Sequence, residues 1–326
     1  MSKKENYKHK KYNNLITKRG LVLKTTGSWY LVKVGDEKIK CKIRGKLRLE
    51  GFESTSPVVV GDYVLVEVKR DKDACMIVGI EGRERCIVRR SQNWSKQKQI
   101  LACNIDQAVL VATLIMPQTP LEFIDRFLVS ATTYNIPAVI VFNKLDLYTE
   151  ELVDYLQEIS EMYKKIGYKT LAVSAIEKTN IEEFKKLLKN KISVLAGNSG
   201  VGKSSLINAI DPELKIKTQQ ISYKYLTGRH TTTFTQMYEL QFGGYIIDTP
   251  GIRAFGLAGL TQQDIAHNFP EMFQYLGKCK YYNCTHIHEP GCAVIEAVEK
   301  GEIPLSRYQS YLSIMSDRNE KYRKSF

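Results

Sequence analysis

The stretch Gly197-Asn198-Ser199-Gly200-Val201-Gly202-Lys203-Ser204 decides the fold of the central part of this 326-residue chain. It matches G-x-x-x-x-G-K-[ST], follows a strand pattern at 192–196 and leads into a helical pattern at 204–210, as a phosphate-binding loop requires. Glycines let consecutive backbone N–H groups face phosphate oxygens, and the helix N-terminus adds positive potential. We predict that these eight residues and Ser205 bind a nucleotide. Lys203 is expected to act catalytically on the outer phosphates, and Ser204 to bind magnesium.

Strand and helix patterns alternate around this loop. Strands are predicted at 107–115, 137–142, 169–174, 192–196, 236–241 and 245–247, and helices at 121–134, 150–166 and 181–189. This rhythm is typical of a mainly parallel sheet with helices on both faces. The sequence therefore predicts an α/β P-loop domain spanning residues 104–258.

A second motif indicates which nucleotide binds. Asn143-Lys144-Leu145-Asp146 follows the strand predicted at 137–142, at the sheet edge where open α/β folds bind ligands. The Asp146 carboxylate can accept two hydrogen bonds from N1–H and the 2-amino group of guanine, whereas adenine would leave it unpaired. Ser174 and Ala175 follow the next strand and can offer backbone N–H groups to guanine O6. These residues favour GTP or GDP over ATP and disfavour an ATP-dependent kinase.

Residues for magnesium and the γ-phosphate are predicted downstream. Asp248 follows the strand predicted at 245–247 and is expected to hold Mg2+ through water, while the Gly251 N–H is expected to contact the γ-phosphate. The run 228–233 stands where GTPases place the threonine that closes on magnesium. Spacing does not identify that threonine; Thr232 is the first choice and Thr231 the second.

The source of the hydrolytic step is a separate question. Ile252 stands where a glutamine would orient water, and an isoleucine cannot do so. Another group is therefore needed. His230, beside the switch threonines, is the predicted catalytic residue, and the alternatives are a group from a bound partner or a loop histidine without a catalytic role.

The motifs come in a permuted order. Asn143–Asp146 and Ser174 precede the phosphate loop, whereas an ordinary GTPase begins with that loop. Because the motifs need to converge only in space, a circularly permuted chain can build the same sheet. After Gly251 the chain continues directly into a cysteine-rich segment. We hypothesise that nucleotide state is relayed to that segment.

Three cysteines and a histidine form a tight cluster at Cys279-x4-Cys284-x-His286-x5-Cys292. Thiolates and an imidazole at this spacing suit one closed, structural, tetrahedral Zn2+ site. Three buried thiols are the simpler alternative, and His288 could replace His286. We predict an α-helical zinc-binding domain at 259–326. The remaining cysteines are expected to be small core residues: Cys41, Cys75, Cys86 and Cys103.

The N-terminal part carries a different pattern. Residues 1–19 are predicted to be a basic flexible tail, 20–84 a small barrel of the OB or SH3-like type, and 85–103 a basic linker. The barrel strands are predicted at 21–24, 29–34, 38–43, 58–68 and 76–80. A packing or spacer role for this OB-type barrel is the alternative to nucleic-acid binding.

Composition adds broad limits. The chain has 48 Lys+Arg against 35 Asp+Glu, so the difference of 48 − 35 gives a net charge of +13, which favours an anionic partner such as nucleic acid. Much of this excess lies outside the nucleotide domain, in the tail, the linker, the barrel hairpin and a C-terminal helix from about residue 305. The cations expected on that hairpin and helix are Lys40, Lys42, Arg44, Lys46, Arg48, Arg307, Arg318, Lys321, Arg323 and Lys324. The 43% hydrophobic content excludes a wholly disordered chain, and neither a membrane span nor a secretory signal is recognisable. We therefore expect a cytoplasmic protein.

The order of barrel, permuted GTPase and Cys-x4-Cys-x-His-x5-Cys domain resembles the RsgA family of small-subunit-dependent GTPases. The stretches 228–233 and 288–294 are particularly similar. The resemblance implies slow GTP hydrolysis that the small (30S) ribosomal subunit stimulates, and a role late in the assembly of that subunit. We expect the protein to be a monomer. It also implies that barrel and zinc domain contact ribosomal RNA, and it supports His230. A GTP-dependent RNA-binding scaffold and a translation-associated GTPase acting on another RNA are the alternatives.

Overall fold

The computed structural model describes residues 16–45, 57–68, 75–90, 98–214, 235–248 and 262–323. These residues form two compact units. The first contains the described residues up to 105 with parts of two strands near 236 and 247, and the second contains most of the remainder. Within the described residues, no helix has both the length and the apolar character needed to cross a membrane.

Five strands of the first unit close into a barrel. They are β1 (Ile16–Thr25), β2 (Tyr30–Val34), β3 (Glu37–Ile43), β4 (Tyr63–Val68) and β5 (Cys75–Ile80). The pairing order is β1-β2-β3-β5-β4, and β4 pairs back onto β1. Alternate side chains fill the interior because successive residues of a strand face opposite sides. The closed five-stranded barrel is confirmed.

The predicted end of the flexible tail is wrong. Pairing between β1 and β4 runs without a break from Ile16 opposite Val68 to Leu21 opposite Tyr63, so residues 16–19 belong to the barrel. Their charge does not prevent this, because Lys18 and Arg19 keep their side chains exposed while the backbone pairs. Residues 1–15 of the tail lie outside the described residues.

The predicted linker contains a small sheet of its own. Strands β6 (Ile87–Arg90) and β7 (Lys98–Ala102) pair antiparallel. Cys103 is buried, as expected, and its thiol lies 2.9 Å from Asp62 Oδ1. Cys86 is only partly buried, so its assignment to the core is wrong. It lies in the segment that enters β6 rather than inside the barrel.

The second unit contains a parallel sheet. Its strands β8 (Gln107–Ala112), β9 (Ala138–Phe142), β10 (Lys169–Ala172) and β11 (Ile192–Ala196) pair in the order β10-β9-β8-β11. Every pairing among them is parallel. The first and last of these strands in the chain are therefore neighbours. Their carboxyl ends meet at one edge, where ligands of open α/β sheets bind.

Two further strands extend this order. They are β12 (Gln236–Glu239) and β13 (Tyr245–Asp248), and β13 is the neighbour of β11. The turn between them uses positive φ at Gly243 and Gly244. A methyl group on Gly244 would lie 2.6 Å from the Leu188 carbonyl oxygen, so a side chain does not fit there.

Helices cover the sheet as predicted, with small changes at their ends. They are α1 (Leu121–Thr133), α2 (Glu150–Ile166), α3 (Ile181–Leu188) and α4 (Lys203–Ile210). Helix α2 begins after Thr149, whose hydroxyl accepts from the Leu152 N–H, and ends at Gly167 in the left-handed region. Strand β8 ends three residues earlier than predicted, because the chain turns at 113 into a loop described below.

The C-terminal helices belong to the same compact unit as the parallel sheet. They are α5 (Gln262–His267), α6 (Pro270–Phe273), α7 (Ala293–Glu299) and α8 (Leu305–Arg323). Their apolar core also contains Val129 from α1. The helical module is therefore packed onto the α/β part rather than joined only through the chain.

Arg307 corrects an expectation about the charged surface. The sequence places it among exposed cations, yet its side chain is 0% exposed. Its Nη1 donates to Asp125 Oδ1 at 2.7 Å, and its Nε and Nη2 donate to Glu271 at 2.6 and 3.2 Å. This buried cluster joins α8 to α1 and α6. Arg307 therefore stabilises the packing of the helices and offers no charge to a partner.

Candidate nucleotide and metal sites

The phosphate loop connects β11 to α4 and depends on its glycines. Gly197, Gly200 and Gly202 have φ values of 139°, 85° and 91°, which other residues rarely adopt. A methyl group would lie 2.3 Å from the Val111 carbonyl oxygen at Gly197, and 2.3 Å from an Asn143 amide nitrogen at Gly202. The loop backbone therefore packs closely against the Val111 backbone and the Asn143 side chain. This leaves no room for a Cβ atom at either glycine.

Lys203 and the two serines after it occupy the start of α4. The Lys203 ammonium lies 2.8 Å from the Gly197 carbonyl oxygen and 2.7 Å from that of Asn198. The ammonium is thus held over the loop where phosphates are expected. Ser204 is buried at the sheet edge, and Ser205 is exposed. Within the loop, Ser199 is exposed and Val201 is packed in the core.

Asn143 joins residues 143–146, the predicted base-recognition segment, to the phosphate loop. It is 2% exposed, and its Nδ2 donates to the Val201 carbonyl at 2.9 Å. Its Oδ1 accepts from the Ala175 N–H at 3.3 Å. Its own N–H donates to the Ala112 carbonyl at the end of β8. One buried amide therefore brings together three segments that lie far apart in the sequence.

Asp146 is exposed at the same edge and is oriented by a neighbour. The Ser174 hydroxyl donates to Asp146 Oδ1 at 2.5 Å and accepts from the Glu177 N–H at 3.0 Å. This role of the serine side chain was missed, because the sequence motif suggested only backbone donors. The N–H groups of Ser174 and Ala175 here pair with the Thr179 carbonyl and with Asn143. Their expected contact with guanine O6 stays a prediction.

Several predicted site residues lie outside the described residues. They are His230, Thr231, Thr232 and Gly251. Asp248 is the last residue of β13, which is one residue longer than predicted, and its side chain lies outside the described residues. The magnesium ligands, Ser204 included, and the hydrolytic group therefore stay predictions.

The predicted metal-binding residues come together in the helical module. Atoms from Cys279, Cys284, His286 and Cys292 all lie within 4.8 Å of one another. The Cys279 and Cys292 sulfurs are 3.9 Å apart, and His286 Nδ1 lies 3.5 and 3.4 Å from them. A tetrahedron with Zn–S bonds of about 2.3 Å has edges of about 3.8 Å, so this donor set fits zinc.

His286 rather than His288 belongs to this cluster. His286 is buried with its Nδ1 among the sulfurs, whereas His288 is exposed. The Tyr308 hydroxyl donates to the His286 carbonyl at 2.9 Å. This hydrogen bond fixes the backbone of the ligand loop, residues 279–292, which carries all four donors. Gly291 has a φ of 73° and turns the chain into Cys292.

Glu289 organises the ligand loop and was missed by the sequence reasoning. Its Oε1 accepts from the N–H and hydroxyl of Thr285, and its Oε2 accepts from the N–H groups of Ile287 and His288. Burial alone would raise the pKa of Glu289, but these hydrogen bonds outweigh it and hold that pKa well below its usual range. An acidic residue inside a Cys/His loop is the only sequence signal for this role.

Comparisons with known proteins agree with this geometry. The family model described as RsgA GTPase matches residues 80–258, and the RsgA N-terminal domain matches 19–76. The chain is 49% identical over 310 residues to the small ribosomal subunit biogenesis GTPase RsgA of Phocaeicola vulgatus, covering 94% of this chain and 100% of that protein.

Two solved structures are similar over almost the whole chain. YjeQ from Thermotoga maritima matches with a TM-score of 0.76 and 35% identity, covering 93% of this chain and 98% of that chain. YloQ, described as a circularly permuted GTPase, matches with a TM-score of 0.74 and 28% identity, covering 96% and 98%. The permuted order of motifs read from the sequence is therefore shared with a solved structure.

Proposed function

The chain belongs to the RsgA family of GTPases, and we propose that it hydrolyses GTP during biogenesis of the small ribosomal subunit. The observation that carries this proposal is the convergence of three segments on Asn143. That residue contacts the phosphate loop through Val201 and the segment of Ala175 through its other amide atom. Asp146, exposed beside them, supplies a carboxylate for guanine.

Each half of the site has a defined task. The glycine cradle presents backbone N–H groups to the phosphates, and Lys203 adds a positive charge. Asp146, held by Ser174, accepts from guanine and leaves an adenine base without a partner. Ser204 and Asp248 would hold Mg2+, which when bound neutralises charge on the β- and γ-phosphates.

The group that activates water is proposed from the sequence. His230 is the proposed catalytic residue, with Thr232 as the proposed switch threonine and Gly251 as γ-phosphate contact. Ile252 has no polar atom in its side chain with which to orient water, which supports a group from elsewhere. A His230→Ala protein should bind GTP normally and lose the stimulated turnover; retained turnover would exclude this role.

We further propose that the Cys/His cluster holds one structural Zn2+. Its four donors are three sulfurs and one imidazole nitrogen, and their separations match the edges of a zinc tetrahedron. Four protein donors fill a tetrahedral site, so no position is left for a reacting water.

Exposed cations and aromatic rings support RNA as the partner. Lys40 and Lys42 of β3 are exposed on either side of the buried Cys41, so both face outward. Arg44, directly after β3, is also exposed but pairs with Glu67 at 2.7 Å. The Lys42 ammonium lies 4.4 Å from the centre of the exposed Trp29 ring. Such pairs of cations and aromatic rings suit phosphate and base contacts.

The zinc module offers a similar surface. Tyr282 is 100% exposed and Tyr281 is 43% exposed, and the Lys280 ammonium lies 5.6 Å from the ring of Tyr281. We propose that barrel and zinc module contact ribosomal RNA and that the protein acts as a monomer in the cytoplasm. We also propose that its domains are a barrel that begins at residue 16 and ends near 84, followed by 104–258 and 259–326.

The decisive experiment measures GTP hydrolysis with isolated small subunits, large subunits or transfer RNA. We expect small subunits alone to raise turnover, and a Lys203→Ala protein to show no stimulation. Stimulation by transfer RNA or large subunits instead would favour a translation-associated GTPase. Tight GTP-dependent binding to small subunits without faster turnover would favour the scaffold.

A further inference from the structure

The loop between β8 and α1 folds into a closed turn beside the nucleotide site. The Thr113 N–H donates to the Thr119 hydroxyl at 3.1 Å, and the Thr119 N–H donates back to the Thr113 carbonyl at 2.8 Å. The Thr113 hydroxyl also donates to the Pro117 carbonyl. Thr113 and Thr119 are both buried, so the turn from 113 to 119 has a fixed shape.

This turn contacts both halves of the nucleotide site. The Lys144 ammonium, from the base-recognition segment, donates to the Met116 carbonyl. The Pro117 ring lies over the phosphate loop, because a methyl group on Gly200 would lie 3.2 Å from Pro117 Cδ. No sequence motif marks residues 113–119 as part of the site.

Tyr148 fastens the turn to the base-recognition segment. Its hydroxyl donates to the Asn143 carbonyl at 2.8 Å and accepts from the Leu114 N–H at 2.9 Å. Burial, together with the nearby Asp146 carboxylate, raises the pKa of Tyr148. The hydroxyl therefore stays protonated and remains a donor. Tyr148 is separated from Asp146 by a single residue.

We propose that Tyr148 is a positioning residue for guanine recognition. It holds the segment 143–146 against the turn 113–119, so that the Asp146 carboxylate keeps the orientation that two hydrogen bonds to guanine require. Without the hydroxyl, the Asn143 carbonyl and the Leu114 N–H lose their shared partner and the segment loosens. This inference rests on the proposed GTPase function and concerns the same site.

The test compares GDP with inosine diphosphate on the full-length Tyr148→Phe protein. Inosine lacks the 2-amino group, so it can use only one of the two bonds to Asp146. We expect GDP affinity to fall about tenfold, as for loss of one or two hydrogen bonds, and inosine diphosphate affinity about threefold or less. KM for GTP should rise with the GDP dissociation constant, while kcat at saturating GTP stays unchanged.

A matched control is Tyr155→Phe, which removes a hydroxyl from an exposed tyrosine on α2. It should leave both affinities unchanged. A second approach to the same turn is Thr119→Val, which removes the acceptor of the Thr113 N–H while preserving side-chain shape. It should also lower the preference for GDP over inosine diphosphate, and it carries the test alone if Tyr148→Phe does not fold.

The experiment distinguishes failure of the proposed guanine site from failure of the proposed role of Tyr148. If the wild-type protein does not prefer GDP to inosine diphosphate, the proposed guanine site is wrong. If the wild type has this preference and a folded Tyr148→Phe or Thr119→Val protein keeps it in full, only the role of Tyr148 and its turn is wrong. Equal losses for both nucleotides with a lower melting temperature would likewise overturn it, since a purely structural residue gives that result.

Discussion

Replacing Arg307 by methionine tests whether the buried ion cluster holds the helical module on the α/β part. The guanidinium is fully buried between Asp125 and Glu271, whose side chains are 1% and 6% exposed. It also lies 4.6 Å from the centre of the Phe269 ring. Methionine keeps an unbranched apolar side chain but removes the charge and all three hydrogen bonds.

The expected loss of unfolding free energy follows from the two carboxylates that remain buried, Asp125 and Glu271. Arg307→Met leaves two carboxylates buried without a cation, and removing one partner of a buried ion pair costs about 3–5 kcal/mol. That is a large share of a typical unfolding free energy of about 5–15 kcal/mol. Replacing all three charges is expected to cost much less, because neutral amides at Asp125 and Glu271 leave no unpaired charge. Asp125→Asn would still accept from Tyr163, which donates to Oδ1 at 2.7 Å.

The assay is urea unfolding followed by far-ultraviolet circular dichroism. The single variant Arg307→Met is compared with the triple variant that adds Asp125→Asn and Glu271→Gln. The control is Arg126→Met, because Arg126 is partly exposed and pairs with a partly exposed Glu122 at 2.8 Å. An exposed pair of this kind contributes about 0–1 kcal/mol.

The pH dependence gives a second readout. Burial without a cation raises the pKa of a carboxyl group in the folded state above its value of about 4 in the unfolded chain. The difference in unfolding free energy between the wild type and Arg307→Met should therefore be largest at neutral pH and shrink as pH falls towards that raised pKa. The reasoning is refuted if Arg307→Met loses no more stability than Arg126→Met, or if the triple variant is as unstable as the single one.

Three further predictions concern the nucleotide and metal sites. Asp146→Asn should weaken GDP binding at least about 100-fold and improve binding of xanthosine diphosphate, whose C2 carbonyl can accept a hydrogen bond from the new amide. Titration calorimetry with both nucleotides measures the two affinities, and an unchanged GDP affinity would contradict the prediction. Gly202→Ala should reduce GDP affinity more than tenfold, because the new Cβ would lie 2.3 Å from the Asn143 amide nitrogen. The control is Gly301→Ala, at a position with a similar positive φ and open space around it, and this protein should bind GDP with unchanged affinity. Cys292→Ser should lower bound zinc from about one equivalent to near zero and lower the melting temperature, and a chelator should have the same effect on the wild type. Cys86→Ser is the control and should leave the zinc content unchanged. Equal zinc content in the two variants would exclude the Cys/His cluster as the zinc site.

Local patterns predicted the elements best. The glycine spacing of the phosphate loop and the preceding strand fix a short-range arrangement, and the structure reproduces β11 at 192–196 without change. The barrel was predictable because period-two alternation gives strand faces directly. The Cys/His spacing similarly identified four donors that lie together.

Errors arose where long-range partners decide the outcome. Residues 16–19 are rich in charge and polarity, yet backbone pairing with β4 makes them a strand. Residues 85–103 contain a hairpin that their charge concealed. Its residue type places Arg307 with the exposed cations, and its burial depends on Asp125 and Glu271, which are 182 and 36 residues away along the chain.

The amino-acid sequence by itself identified the phosphate loop, the aspartate proposed to select guanine, the four candidate metal donors and the permuted order of motifs. The first three are local patterns, because the residues that carry each of them are close together in the chain, and the order of motifs is read directly along the chain. The tertiary structure alone decided how these patterns meet. Asn143 reaches Val201, Tyr148 reaches Leu114 and Arg307 reaches Asp125 only after the sheet and helices have packed. Hydrogen bonds and ion pairs of this kind depend on distances in space, which the spacing of residues along a chain does not encode.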